Sequence, residues 1–105
     1  MIYQVILSDA ANRDLRNIFE YIFYELKAPQ SASGMLDKLE KAVLSLEEMP
    51  NRHKVIEREP WLSRKVRLMP VGNYVMIYFV DDNKYEVNIM RIIYGGRDID
   101  AELRK

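Results

Sequence analysis

The chain has 105 residues, 49% of them hydrophobic and 30% charged, with 16 Lys/Arg balanced by 16 Asp/Glu. That length supports one domain, residues 1–105, around a modest core, and the lack of cysteine excludes disulfide staples and thiolate metal sites. Zero net charge argues against a dedicated nucleic-acid binder, because phosphate neutralisation supplies most of that affinity, and no run approaches the roughly 18 apolar residues of a membrane span.

The opening MIYQVILSD has no positive n-region and only a short apolar run, so it is not read as a signal peptide. A soluble, cytoplasmic protein with no membrane partner is expected. Residues 2–7, IYQVIL, are rich in β-formers and predict a first strand. Ser8 can cap the helix that follows. Apolar residues then fall at Ala11, Leu15, Ile18, Phe19, Ile22, Phe23 and Leu26, a helical spacing over more than four turns. Ala28-Pro29 breaks this helix, and Pro29 suits the first turn of a second one. There Ala32, Met35, Leu36, Leu39, Val43 and Leu46 repeat the spacing until Met49-Pro50 ends it. The short break implies a helical hairpin, with Leu15, Ile22, Leu36, Leu39, Val43 and Leu46 turned to the core.

Residues 50–63 have no period and hold two prolines, which predicts a loop with a turn of helix around Val55-Ile56. Trp61 is its expected packing anchor. Three strands are predicted at about 65–71, 73–80 and 85–94, joined by turns at Val71-Gly72-Asn73 and Asp81–Lys84. The charged tail, 98–105, is expected to form one helical turn. The order β-α-α-β-β-β gives an α+β domain, a helical hairpin on one face of a mostly antiparallel four-stranded sheet.

Charge is unevenly spread. Residues 52–67 hold six Lys/Arg against two acids, whereas residues 20–48 hold six acids against three lysines. On a strand, Lys65 and Arg67 would share one face, leaving Val66 and Leu68 to point toward the helices. The same alternation groups Tyr74, Met76 and Tyr78. A face of Lys, Arg and Tyr beside Arg97 can stack bases and neutralise phosphate; an ordinary solvated face is the alternative. Gly95 and Gly96 end the last strand and form no phosphate loop. His53 is the only histidine, so a metal centre is not expected. It reads as a solvated loop residue, with a general-base role as the alternative.

Four segments carry a resemblance. They are A-x-x-D-L-x-x-I-x-x-Y-I from Ala11 to Ile22, L-E-E-M-P from Leu46 to Pro50, K-V-R-L-M-P-V-G-N-Y-V-M-I-Y from Lys65 to Tyr78, and R-I-I-Y-G-G-R-D from Arg91 to Asp98. In this order they resemble the RelE/ParE superfamily, the toxins of type II toxin–antitoxin modules. The resemblance implies growth inhibition, a cognate antitoxin whose C-terminal segment wraps the toxin in a hetero-oligomer, and no cofactor. It also implies one of two mechanisms. RelE-like members cut mRNA in the ribosomal A site. ParE-like members inhibit DNA gyrase and cut nothing. A catalytically inert relative acting as a binding module is the third expectation.

For the nuclease mechanism the resemblance puts Lys65 and Arg67 at the paired basic strand positions. Arg97 follows the last strand, and Tyr94 stands where some relatives carry histidine. Metal-free RNA cleavage needs a base, an acid and a cation facing the phosphate. Val75, however, stands where RelE-like cleavers carry arginine after the first aromatic of the strand, and Asp100-Ala101 stand where their C-terminal tyrosine lies. The long hairpin and the Y-V strand look more ParE-like. For an antitoxin or target the expected surface is Lys65, Arg67, Tyr74, Tyr78, Arg91 and Arg97.

Overall fold

The computed structural model describes residues 2–104. Strand β1, Gln4–Leu7, leads into helix α1, Asp9–Glu20, whose N-terminus is capped by Ser8 Oγ accepting the Ala11 N–H at 3.0 Å. A π-helical turn, Tyr21–Glu25, extends α1. Helix α2, Pro29–Ser45, starts with its proline in the first turn, where the missing N–H costs nothing. A 3₁₀ turn at Pro50–Arg52 precedes β2, Lys54–Val55. Strands β3, Arg67–Val71, β4, Tyr74–Asp81, and β5, Glu86–Tyr94, follow, and helix α3, Ile99–Leu103, ends the fold.

The five strands lie in the order β1-β5-β4-β3-β2. Only β1 and β5 run parallel; the other pairs are antiparallel. A two-residue turn joins β3 to β4, with Gly72 at φ +59°, a left-handed conformation that glycine adopts without a Cβ clash. The expected hairpin-on-sheet architecture therefore stands, with one more strand than expected. β2 forms where a helical turn was expected around Val55-Ile56, because Lys54 and Val55 pair with Leu68 and Arg67. Pairing with a ready strand edge outweighs local preference in so short a segment.

The hairpin covers one sheet face. Ile22, Leu39 and Leu46 are buried and Leu15, Leu36 and Val43 half-buried, so the helical spacing is realised. Leu39, Leu46, Met69, Met76, Tyr78, Val87, Ile89 and Ile92 form this core with Ala11. Each such large aliphatic side chain contributes about 1.5–3 kcal/mol by leaving water.

The opposite face is not solvated. Ile56, Trp61, Val66, Ile77 and Ile93 form a second cluster, with Leu68, Val75, Met90, Ile99 and Leu103 packed against it. Val66 and Leu68 thus point away from the helices, the reverse of the expectation. Their strand starts only at Arg67, since Lys65 turns at φ +54°, and the 56–66 segment folds back over the sheet. A bulge in the β4–β5 pairing, between Ile77 and Tyr78, lets Ile89 and Ile92 share the hairpin face although three positions apart.

Candidate functional site: an aromatic cleft and a carboxylate-clamped edge

A cleft of about 910 Å³ opens between the hairpin tip and the ends of β4 and β5, with Tyr21, Leu26, Met35, Tyr74, Tyr94 and Arg97 on its walls. Tyr74 and Tyr94 are cross-strand partners and meet edge-to-face with centroids 6.0 Å apart, a favourable quadrupole arrangement. Burial, with smaller effects from Tyr21 and Tyr94, raises the Tyr74 phenol above its ordinary pKa. Three phenols thus line one opening. Tyr94 and Arg97, expected as site residues, are brought together here, since the Arg97 N–H closes a turn onto the Tyr94 carbonyl at 3.1 Å.

A carboxylate-clamped edge forms part of the cleft wall. β1 ends at Leu7, opposite Ile89, which leaves the rest of β5 without a strand neighbour on that side. Asp14 of α1 fills the gap. Its Oδ2 accepts the Ile92 N–H at 2.9 Å and Arg91 Nε at 2.7 Å, and its Oδ1 accepts Arg91 Nη2 at 3.0 Å. Arg91 Nη1 donates to the Glu102 carbonyl at 3.0 Å, and its Nη2 lies 3.6 Å from Glu102 Oε2. The hydrogen bond to Asp14, opposed by partial burial, raises the Arg91 pKa above its ordinary value. Glu102 also accepts Arg97 Nη1 at 3.3 Å. Arg91, expected on a partner surface, is half-buried and bound on two sides.

Lys65, Arg67 and Tyr78 are elsewhere. Arg67 pairs with Tyr78 in register, while Tyr94 pairs with Tyr74. The two pairs are four positions apart on β4, roughly 13 Å along a strand. Arg67 Nη1 donates to the carbonyls of Asn51 (3.0 Å) and His53 (2.6 Å), pinning the segment before β2. Lys65 is exposed and, with its left-handed backbone, lies before the strand that Arg67 begins; both cations act on the Asp82 carboxylate. Tyr74, Met76 and Tyr78 do share a face, turned to the hairpin core. Tyr78 is fully buried, and its hydroxyl donates to the Pro50 carbonyl at 2.7 Å. Burial, partly offset by Arg67 and Arg52, pushes its phenol up to about 12. Tyr78 therefore does not belong to the surface. His53 is not solvated either: it sits edge-on to Tyr78 at 6.2 Å, with Nε2 buried and unbonded.

Asp14 had a legible signal that the site reading did not use. It is a carboxylate between Ala11, Leu15 and Ile18 on the inward helix face, where an acid needs a cation. Glu102 had none, since nothing in a charged tail tells which acid folds inward. Trp61 is the anchor expected: it is buried, its Nε1 donates to Asp100 Oδ1 at 2.6 Å, and the guanidinium carbons of Arg64 and Arg104 lie 5.9 and 5.8 Å from its ring centroid.

Among solved structures the fold is similar to the chromosomal ParDE toxin–antitoxin system of Pseudomonas aeruginosa, with a TM-score of 0.71 and 20% identity over 89% of this chain and 96% of that one. It is also similar to the RelBE2 toxin–antitoxin complex of Mycobacterium tuberculosis, with a TM-score of 0.64 and 24% identity over 90% and 99%. A mutant of the Escherichia coli toxin RelE in the free state gives a TM-score of 0.67 and 16% identity over 99% and 92%. These likenesses carry the fold. No curated protein matches the chain. Residues 5–99 match the family model described as the ParE toxin of the type II toxin–antitoxin system, parDE. That match spans nearly the whole chain, which therefore belongs to the ParE toxins of type II toxin–antitoxin systems, within the RelE/ParE superfamily.

Proposed function

We propose that this toxin arrests growth by binding a protein target, DNA gyrase or another, and not by cutting RNA, and that a cognate antitoxin silences it. One observation supports this most: the candidate catalytic groups do not converge on one centre, since Lys65 and Arg67 stand away from Tyr94 and Arg97. Arg67 is spent on two carbonyls, and Arg97, though exposed, pairs with Glu102. Lys65 and Arg67 lie by the far end of β4 from Tyr94 and Arg97. In-line attack on a phosphate needs base, acid and cation within hydrogen-bond reach of one centre. Val75, standing where a cleaving relative carries arginine, packs into the second core. The description of the matching family agrees with the ParE-like choice.

The antitoxin reading rests on the solved neighbours, several of which are toxin–antitoxin complexes. An antitoxin segment that folds on binding and turns acids toward exposed Lys65 at one end of β4 or Arg97 at the other fits these cations.

The test uses purified wild-type toxin in a reconstituted translation reaction, with mapping of mRNA ends, beside induction in cells. The expected result is arrest with filamentation or an SOS response and intact mRNA. Cleavage in the ribosomal A site, reduced about 10²- to 10³-fold by Arg97→Ala, would overturn the binding reading in favour of a nuclease using Arg97 with Tyr94, Lys65 and Arg67.

A further inference from the structure

A sheet has two edges, and an edge left open invites another strand. Most of the edge of this sheet is closed. On the β2 side the outer strand has two residues and an exposed lysine, Lys54. The part of β3 beyond it holds Pro70, which has no N–H to offer. On the other side the end of β5 is sealed by Asp14, whose Oδ2 accepts the Ile92 N–H at 2.9 Å. The approach to β1 is sealed too, because the Tyr3 N–H donates to the Glu47 carbonyl at 2.8 Å.

Between those two seals β1 stays open. The N–H groups of Gln4 and Ser8 donate inward, to the carbonyls of Tyr85 at 2.8 Å and Ile89 at 3.0 Å. Alternation along the strand therefore turns the N–H and C=O of Val5 and Leu7 outward, where the strand order has no neighbour. The stretch carries none of the devices that blunt an edge, since residues 2–8 hold no charge, proline or glycine. Ile6, between the two outward residues, is 36% exposed.

Symmetry selects the occupant. The outward groups of Val5 and Leu7 are spaced evenly about Ile6. A second copy turned about a two-fold axis through that point presents the same groups in reverse. Val5 of each copy then faces Leu7 of the other and exchanges both N–H···O bonds with it, and Ile6 meets Ile6 in the close pair, with Cα atoms about 4.5 Å apart. Gln4 lies opposite Ser8, so no like charges face each other across the strands. An acidic antitoxin segment finds less to hold. The charges around the stretch are Asp9 and Arg13 in α1 and Glu86, opposite Gln4 on β5, one cation against two acids. We infer that the free toxin self-associates edge to edge, β1 against β1 of a second copy, so that two five-stranded sheets continue into one. None of the residues lining the cleft belongs to β1, so the inference is independent of what the cleft binds.

Sedimentation of wild-type toxin freed of antitoxin, from about 1 μM to about 1 mM, should show a monomer–dimer equilibrium, since so short a junction makes a weak interface. Ile6→Lys sets two cations face to face on the axis and should leave a monomer over the same range. Its Tm should match wild type, because the side chain is exposed. The chain has no cysteine, so cross-linking reads the register. Ile6→Cys should form a disulfide dimer under mild oxidation, its two Cα atoms falling within the roughly 4.4–6.8 Å that a disulfide spans. Gln4→Cys should not, because its two copies stand four positions apart in the pairing, roughly 13 Å along a strand. Should Ile6→Lys lower the Tm, the two cysteine variants decide. A wild type that stays monomeric to about 1 mM overturns the inference. So does a dimer that folded Ile6→Lys leaves intact, and so does equal cross-linking by the two cysteine variants. A monomeric wild type, with Ile6→Lys binding the purified antitoxin more than about tenfold more weakly, would overturn it as well and make this edge the antitoxin's seat.

Discussion

Asp14 ties helix α1 to strand β5 through three hydrogen bonds. It satisfies a strand N–H that has no strand partner and neutralises a half-buried guanidinium. Asp14→Ala leaves both unmatched, and a buried or half-buried cation stripped of its acid is far costlier than a lost surface pair. The expected destabilisation is about 2–3 kcal/mol, seen as a fall in Tm of roughly 10 °C or more, with Asp14→Asn losing less because an acceptor remains. A shift of only a degree or two would show that Glu102 alone holds Arg91. His53 is the second residue with a legible consequence. Burial, then Arg52 and Arg67, lowers its pKa below 6.5, and Tyr78 faces its ring. The unfolded chain thus takes up a proton more readily than the folded one. Stability is full above about pH 6.5 and falls as pH drops through the folded value. In urea unfolding from pH 7.5 to 5.5, His53→Phe should flatten this loss while keeping the ring contact. An unchanged slope would assign the effect to other groups.

The amphipathic helices of the hairpin follow from their spacing alone, because a 3.6-residue period admits one buried face. The π turn does not, since the residues Tyr21–Glu25 carry no break signal. It lies where the first helix ends and the chain turns back into α2. The two shortest elements show the same limit. β2 has two residues and α3 five, and neither is stable without tertiary contact. What holds α3 is polar as much as apolar. Asp98 caps it, Asp100 ties it to Arg58 and Trp61, and Glu102 ties it to Arg91 and Arg97. The Asp100 carboxyl lies below its ordinary pKa, chiefly through the Trp61 hydrogen bond and then that of Arg58. Asp100→Ala should loosen α3 and wet the indole. Trp61 is the only tryptophan, so its emission should move to the red and become easier to quench, with little change in Tm. Unchanged emission would mean that Ile99 and Leu103 suffice to seat the helix.

Over the whole molecule, a sheet covered on both faces explains how an evenly charged chain places its cations. Arg67 and Arg91 are drawn inward to stitch segments together, while exposed Arg97 stays on the cleft wall with Tyr21 and Leu26. The translation and arrest assays of the wild-type toxin test the functional reading at this scale.

The sequence by itself determined the hairpin, the three long strands, the Pro29 start, the Ser8 cap and the family resemblance. Each rests on local periodicity, local capping chemistry or residue order. Only the tertiary structure decided which face each strand cation takes. Facing depends on where a strand starts, and Lys65 leaves the strand that Arg67 begins. Only it decided that Tyr78 is core and Arg91 a clamp, because burial is set by what the distant 50–66 and 98–104 segments cover. The pairing of Asp14 with Arg91, 77 positions apart, is likewise written in no local pattern. It exists because β1 stops short of the end of β5 and leaves an edge that a carboxylate can fill.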